Sequence, residues 1–210
     1  MGYEKARHLL ERYGISHAHA ELTDSKAHAL KIAGKLGYPL ALKIDSPDIV
    51  HKTELGCIET GISNSDTLTE AFDRIMKNAR KHTDNINGII VQKMETGTEV
   101  IIGAKRDPQF GPVIMFGLGG ILVEYLKDFS IGIAPVSSAK AMHMIKKIKT
   151  YPVLEGVRGQ KGADTAKIAS AISKVSNLMS DCPFISEIDL NPCFASEKTC
   201  TAADIRVIVE

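Results

Sequence analysis

The order of apolar and polar positions at the start of the chain is typical of two amphipathic helices followed by a short strand. Apolar residues recur at helical spacing over residues 2–13, which predicts the first helix. A second helix is predicted to begin after the capping residue Ser25 and to end at Gly37. The run LALKI then predicts a strand at residues 40–44. Lys43 therefore lies in a strand whose other members are apolar.

In the remainder of the chain, capping residues and apolar periods predict three more helices and a series of strands. The helices are predicted to begin at Asp66, at Ser138 and at Asp164, and the second of them to run to about residue 149. Strands rich in β-branched residues are predicted at 88–94, 98–106, 113–117, 129–136, 186–192 and 201–209. Because helices and strands mix without regular βαβ alternation, we expect the α+β class rather than one doubly wound sheet.

Composition and charge narrow the class of partner. Apolar residues make up 44% and charged residues 24% of the 210 residues, as in ordinary globular domains. A net charge of +1 without a long basic run argues against nucleic acid or anionic lipid as partner. With no apolar stretch of about 20 residues and no apolar centre at the N-terminus, we expect a cytoplasmic protein with no membrane partner. The cysteines have no metal-ligand spacing and are expected to be buried free thiols: Cys57, Cys182, Cys193 and Cys200.

Polar residues on the predicted C-terminal strands are candidates for a metal site. The period of two places Glu187, Asp189 and Asn191 on one face of SEIDLNP, and Asp204 and Arg206 on one face of AADIRVIV. Carboxylate and amide oxygens suit Mg²⁺ on a bound nucleotide. A solvated strand face explains the same pattern, and the spacing alone leaves both interpretations open.

Two basic residues raise similar alternatives. Lys43 in an apolar strand needs a partner such as a nucleotide phosphate, or else it is an edge-strand lysine that extends to water. His51, in the loop SPDIVHKTELG (residues 46–56, the His51 loop), is by itself typical of an ordinary surface histidine. Neither a complete G-x-G-x-x-G pattern nor a phosphate loop of the G-x-x-x-x-G-K-[ST] type is present.

A resemblance to a known family changes these interpretations. Five blocks occur in order: GYPLALKIDSPDIVHKTELGCIETGI, VQKMETGTEVIIGAKRDPQFGPVIMFGLGGILVEYLKD, GVRGQKGAD, SEIDLNP and AADIRV. Together they resemble the ATP-grasp β subunit of ADP-forming acyl-CoA (acetyl-CoA) synthetases, from about residue 5 to the end of the chain. A match of this length is more specific than any single motif.

The resemblance implies a fold, a reaction and a partner. The fold is ATP-grasp, a single domain over 1–210 with two α+β lobes and the nucleotide cleft between them. The N-terminal lobe is expected at 1–93, including the His51 loop, and the C-terminal lobe with the metal site at 94–210. The reaction is acyl-CoA + ADP + phosphate ⇌ carboxylic acid + CoA + ATP. Since the chain has no room for the CoA-binding α part, we expect a separate β subunit in an α2β2 complex.

The resemblance also assigns roles to residues of this chain. Lys43 matches the lysine that holds nucleotide phosphates, and Glu99 lies where the family contacts the ribose. Asn191 and Asp204 match the Mg²⁺ ligands, whereas Glu187 and Asp189 are weaker candidates. The inter-lobe hinge that recognises the adenine of ATP or ADP is matched by Gln92, Lys93, Met94 and Glu95.

His51 matches a phosphohistidine on a swinging segment that carries a phosphoryl group between a histidine of the α subunit and ADP. Phosphoryl transfer requires donor and acceptor in line at near-contact distance, so two distant sites need a moving nucleophile. Imidazole suits this role because its neutral form is present at pH 7 and one ring nitrogen can attack while the other is held. Lys52 would offset phosphate charge nearby.

Three departures from the family pattern bear on this assignment. Glu54 stands where relatives have aspartate and Cys57 where they have a second glycine, so we expect a slightly stiffer loop. Gly132 replaces a usual arginine, so either another residue such as Arg106 or Arg158 substitutes for it or the activity is altered. Two alternatives remain: an ATP-grasp carboxylate ligase that acts directly without His51, and a non-catalytic nucleotide-binding subunit.

Overall fold

The computed structural model describes residues 1–120, 127–156 and 161–210. The N-terminal half contains α1 (Tyr3–Arg12), β1 (Ala20–Thr23), α2 (Lys26–Leu36), β2 (Leu40–Asp45), β3 (Ile58–Ile62), α3 (Ser65–Ala79) and β4 (Gly88–Lys93). The C-terminal half contains β5 (Thr98–Asp107), β6 (Gly111–Leu118), β7 (Phe129–Ile133), α4 (Ser138–Lys147), α5 (Tyr151–Glu155), α6 (Thr165–Asp181), β8 (Ile185–Ala195), β9 (Cys200–Ala202) and β10 (Ile205–Val209).

Residues 18–94 form one compact unit around a four-stranded antiparallel sheet in the order β1-β4-β2-β3. Alternate residues of the central strand β2, Leu40, Leu42 and Ile44, are fully buried against the apolar faces of α2 and α3. The period of two therefore leaves Ala41 and Lys43 on the opposite face.

Residues 3–17 and 95–210 form the second unit around a six-stranded antiparallel sheet in the order β10-β8-β5-β6-β7, with β9 paired to β8. Its core lies between one sheet face and the helices α1, α4 and α6. Phe116 of β6 and Ile102 of β5 are fully buried there. Both units combine helices with antiparallel sheet, so the α+β prediction is confirmed.

The structure corrects several sequence-based boundaries. The predicted lobe 1–93 is too long at its start, because α1 packs into the core of the second unit through Ala6 and Leu10. The third helix begins after Asn64 rather than at Asp66, because the Asn64 side chain accepts hydrogen bonds from the amides of residues 66 and 67. The predicted last strand is two strands, β9 and β10, and the short elements β1, β3 and α5 were not predicted.

The cysteines agree with the expectation from composition. All four cysteines are buried free thiols, as predicted. Within residues 1–120, 127–156 and 161–210, no helix has the length and apolar character that crossing a membrane requires.

Candidate functional site

Lys43 and Gln92 lie on the face of the four-stranded sheet that points away from α2 and α3. Lys43 is paired with Ile90 and Gln92 with Ala41, which makes the two polar side chains diagonal neighbours on adjacent strands. Lys43 is 5% exposed and Gln92 is 4% exposed. This face of the sheet thus contains two buried polar side chains beside the apolar residues Ala41 and Ile90.

The residues at the end of β4 are fixed by hydrogen bonds within their own unit. Lys93 donates from Nζ to the carbonyl oxygens of Gly37 and Tyr38, both at 2.9 Å. The amide of Met94 donates to Pro39 O at 3.3 Å. The Lys93 ammonium therefore orients the loop between α2 and β2, while Gln92 is on the sheet face with Lys43. Glu95, the next predicted hinge residue, is the first residue of the 95–210 segment of the second unit.

The first part of the His51 loop is anchored to the segment after α3. Ser46 donates from Oγ to Asn85 O at 2.7 Å, and Thr83 donates from Oγ1 to Asp48 Oδ2 at 2.5 Å. Ile49 follows with its side chain buried in the core. These contacts hold the loop entry in place.

The last part of the loop is anchored by α3. Asn78 donates from Nδ2 to Gly56 O at 3.0 Å. Gly56 has φ +61°, and a Cβ there would come within 2.8 Å of Asn78 Nδ2, so glycine is required for this close approach. Cys57 is fully buried, and burial raises the pKa of its thiol. The cysteine in place of the family's second glycine therefore adds an apolar anchor.

Between these anchors, residues 50–56 form a hydrogen-bonded turn with His51 on its outside. The amide of Leu55 donates to His51 O at 3.2 Å, and that of Cys57 donates to Lys52 O at 2.7 Å. The His51 side chain is 72% exposed, and its Nδ1 lies 3.9 Å from Glu54 Oε1. The imidazole is thus open to solvent, and the Glu54 carboxylate lies near it but beyond hydrogen-bond distance.

Glu99 lies on β5, beside the glycine-rich stretch that ends β6. The amide of Gly119 donates to Glu99 O at 2.7 Å, and a Cβ on Gly119 would lie 2.8 Å from Glu99 Cβ. The glycine therefore permits the backbone after β6 to pack against Glu99. The rest of the GLGGILVEYLKD block, residues 121–126, lies outside the described residues, as do Arg158 and its neighbours at 157–160.

The two predicted metal ligands, Asn191 on β8 and Asp204 just before β10, are close to each other along the paired backbones. The register of β10 against β8 pairs Ile205 with Leu190, and the amide of Asp204 donates to Pro192 O at 3.4 Å. Asp204, which precedes β10, is thus level with the Asn191–Pro192 segment of β8. Asn191 is exposed at this place, where the pairing of β8 with β5 shifts register.

Further carboxylates follow on the same face of β8. Burial raises the pKa of Asp189, and the neighbouring carboxylates of Glu187 and Asp204 raise it further, while Arg206, paired with Asp189, acts in the opposite direction. The face therefore concentrates negative charge that a cation would offset.

These oxygen donors fit Mg²⁺ bound with few protein ligands. Among the residues that the structure describes, no three His, Cys, Asp or Glu side chains form a group that would hold a metal by themselves. Mg²⁺ typically takes one or two protein carboxylates and completes its shell with phosphate oxygens and water. Asn191 and Asp204 are appropriate for such a nucleotide-dependent site.

Gly132, where relatives have arginine, packs against α4. A Cβ there would lie 2.7 Å from Met144 Sδ and 3.3 Å from Val136 Cγ2, so a longer side chain would have to displace the Met144 side chain. Arg106 is already engaged: it donates to Ile185 O at 3.2 Å and to two further carbonyl oxygens at the end of α6. These bonds argue against Arg106 as the substitute for the missing arginine.

Comparison with known proteins identifies the group to which this geometry belongs. The ATP-grasp domain model matches residues 1–209. The beta subunit of acetate–CoA ligase [ADP-forming] I from Pyrococcus furiosus is 43% identical over 208 residues, which cover 98% of this chain and 90% of that subunit. Several other relatives are longer, and the chain spans 30% of their length.

Solved structures agree. The dinucleotide-forming acetyl-coenzyme A synthetase 1 of Ca. Korarchaeum cryptofilum, in complex with coenzyme A, Ca-AMPCP and HgCl⁺, matches with a TM-score of 0.95 and 35% identity over 100% of this chain and 93% of that chain. The same synthetase with coenzyme A and Mg-AMPPCP, its phosphohistidine segment pointing towards the nucleotide binding site, matches with a TM-score of 0.85 and 33% identity over 99% and 91%. The chain therefore belongs to the ATP-grasp domain family, in the group of beta subunits of ADP-forming acetate–CoA ligases.

Proposed function

We propose that this chain is the nucleotide-binding β subunit of an ADP-forming acyl-CoA ligase and that it passes a phosphoryl group through His51. In the direction of ATP formation, a ring nitrogen of His51 accepts phosphate from a phosphohistidine of the α subunit. ADP then attacks the phosphorus, the N–P bond breaks, and ATP leaves with the imidazole restored. The observation that carries the proposal is a largely exposed imidazole on a short turn anchored at both ends.

The family resemblance assigns the nucleotide side of the reaction to particular residues of this chain. Lys43 would bind phosphate oxygens, Gln92 to Glu95 the adenine, and Glu99 the ribose. Asn191 and Asp204 would hold Mg²⁺, which when bound offsets the charge on the phosphate oxygens. A buried ammonium such as that of Lys43 binds phosphate strongly because little water competes with it.

The local chemistry supports His51 as the nucleophile. Glu54 Oε1 lies 3.9 Å from His51 Nδ1 and travels with it, being three residues further along the same turn. In a neutral imidazole one ring nitrogen carries a lone pair that can attack phosphorus, and the exposure of His51 leaves the ring accessible. Lys52 on the same turn supplies positive charge for the transferred phosphate.

A partner subunit is part of the proposal. Binding of CoA and selection of the acyl group are assigned to a CoA-binding α subunit, in an α2β2 complex in the cytoplasm. The Pyrococcus furiosus relative, which is named as a beta subunit of its ligase, supports this assignment.

The test is ATP formation by the reconstituted complex from acyl-CoA, ADP and phosphate. The substitution His51→Asn is expected to lower the rate by roughly 10³-fold or more, because no other group carries the phosphate. His82→Asn, at an exposed histidine in the same unit, is the matched control and should leave the rate unchanged.

Other outcomes would favour the alternatives. Activity without the α subunit that persists in His51→Asn would indicate a carboxylate ligase that acts directly. Normal Mg-ADP binding by a wild-type complex that makes no ATP would indicate a non-catalytic nucleotide-binding subunit.

A further inference from the structure

The strand β7 is an edge strand of the six-stranded sheet. The face of β7 that points away from the helices carries exposed apolar residues. Phe129, Ile131 and Ile133 are 46%, 56% and 44% exposed. They alternate with Ser130 and Gly132, which face the helices. Exposed apolar rows at a sheet edge are uncommon in chains that function alone, because they promote pairing with another strand.

The backbone of the same three residues is also open at this edge. Ala134 N donates to Pro112 O at 2.9 Å, which makes positions 132 and 130 the hydrogen-bonded pairs with β6. In the alternation of an antiparallel ladder, the N–H and C=O groups of Phe129, Ile131 and Ile133 then point away from β6. Within the described part of the chain, one hydrogen bond reaches this edge, from Lys140 Nζ to Ile133 O at 2.6 Å.

Exposed lysines of α4 lie near the open edge of β7. The helix α4 lies beneath β7, where Met144 fills the space beside Gly132. Lys140 and Lys147, one turn to either side of Met144, are exposed, and α4 contains no acidic residue. The surface therefore combines an open strand edge, an apolar row and a positive border.

We propose that this β7 edge, Phe129–Ile133 with the exposed lysines of α4, is where an extended segment of the partner subunit adds a strand, with acidic side chains opposite the lysines. The inference rests on the proposed function for the existence of that subunit. A second copy of this chain fits less well, because it would bring another set of unneutralised lysines to the same edge. Strand addition supplies backbone hydrogen bonds and covers the apolar row at once.

Hydrogen exchange in the reconstituted complex of the full chain with the CoA-binding subunit tests strand addition directly. The amides of Phe129, Ile131 and Ile133 are expected to exchange at least tenfold more slowly in the complex than in the chain alone. Equal rates in the two states would overturn the proposal. Protection that instead grows with the concentration of the chain alone would also overturn it, in favour of self-association.

Substitutions test the side chains. Ile131→Lys places a charge in the apolar row and is expected to raise the Kd for the CoA-binding subunit at least tenfold. The matched control is Val209→Lys on β10, the opposite edge of the same sheet, where the exposed valine should tolerate lysine with a Kd within twofold of the wild type. Binding of Ile131→Lys within twofold of the wild type would overturn the proposal.

Charge reversal tests the border. Lys147→Glu is expected to lower the association rate at least threefold at low salt and to weaken its salt dependence, whereas Lys167→Glu, exposed on α6, should not. An unchanged rate for Lys147→Glu would remove the acidic partner segment from the proposal.

The outcomes also separate this surface from the proposed reaction. A complex that protects the β7 amides but makes no ATP would refute the phosphoryl relay and leave the docking surface standing. A complex that makes ATP with the β7 amides unprotected would refute the docking surface alone.

Discussion

Asp189 shows how neighbouring charges act on one residue of the metal face. Its pKa is raised because the carboxyl is buried and because Glu187 and Asp204 lie close. The folded state then binds the proton more tightly than the unfolded chain does, so the ionised form costs stability. That cost is absent at pH values below the unfolded pKa of about 3.9, and it develops as the pH rises through the raised folded value.

Replacing Asp189 with Asn should therefore stabilise the protein at neutral pH. The midpoint of thermal unfolding is expected to rise at pH 7, by about 2–4 °C for each 1 kcal/mol gained, and to match the wild type near pH 3. Thermal denaturation at a series of pH values measures both effects. A midpoint for Asp189→Asn below that of the wild type at pH 7 would contradict the assigned environment.

Asp107 supplies a control of opposite sign. The amides of Phe110 and Gln109 hydrogen-bond its carboxylate, and they lower its pKa. The stability that this provides is present above the unfolded pKa and is lost as the pH falls through the folded value. Asp107→Asn should accordingly have a lower midpoint of thermal unfolding than the wild type at pH 7. In acid, where Asp107 is protonated, the two midpoints should become equal.

For single residues, the sequence shows which side chains are unusual for their position more easily than it shows what they contact. Lys43 was recognisable because a lysine within an apolar strand is unusual, and the strand was predicted correctly. The anchors of the His51 loop, Thr83 and Asn78, were not identified, since each acts across a distance in sequence that no local pattern encodes. The hydrogen bonds of Lys93 to the chain before β2 are equally non-local.

Among the elements, the His51 loop is limited by its anchors. Ile49 and Cys57 are buried on either side of residues 50–56. These seven residues span at most about 25 Å when fully extended, so with both ends fixed the tip can move about 12 Å from them. A longer movement requires the Asp48–Thr83 and Asn78–Gly56 contacts to break.

Asn78→Ala should loosen the exit of the loop. Loss of the bond to Gly56 O is expected to lower the free energy of unfolding by about 1–2 kcal/mol and to speed amide exchange across residues 50–56. Hydrogen exchange measures this, with Asn87→Ala as control because the exposed Asn87 donates to Asp45, which lies outside the loop. Exchange equal to the wild type across residues 50–56 would show that Asn78 does not anchor the loop.

Arg106 should prove structural rather than catalytic. In Arg106→Lys, a single ammonium cannot donate hydrogen bonds to the same three carbonyl oxygens in the geometry of the guanidinium. We therefore expect the free energy of unfolding to fall by about 1–3 kcal/mol. ATP formation by the folded complex should be unchanged. A large fall in this rate without a loss of stability would restore Arg106 as the substitute for the arginine absent at Gly132.

The elements that were predicted well are those with a long apolar period. The helix at residues 65–79 and the strands β4 and β5 were predicted to within a few residues. The short elements β1 and β3 were not predicted: only one of the four residues of β1 is buried, and β3 lacks a regular alternation. The division of the last strand into β9 and β10 follows from the bend at residues 203–204, which sequence periodicity did not reveal.

For the whole molecule, the fold class followed from the mixture of helices and strands, and the family from the order of its motifs. What no pattern conveyed is that α1 belongs with residues 95–210, because that depends on where a separate apolar face is buried. The proposed function depends on a covalent state of His51, which would link the nucleotide side of the reaction to the proposed partner subunit.

The most direct test of that central claim is to incubate the isolated chain with Mg-ATP labelled on the γ-phosphate and to map the label. The account predicts an acid-labile, base-stable phosphate on the peptide that contains His51, its removal on addition of ADP, and its absence from His51→Asn. A chain that binds Mg-ATP but takes up no label, or a label that persists in His51→Asn, would contradict it.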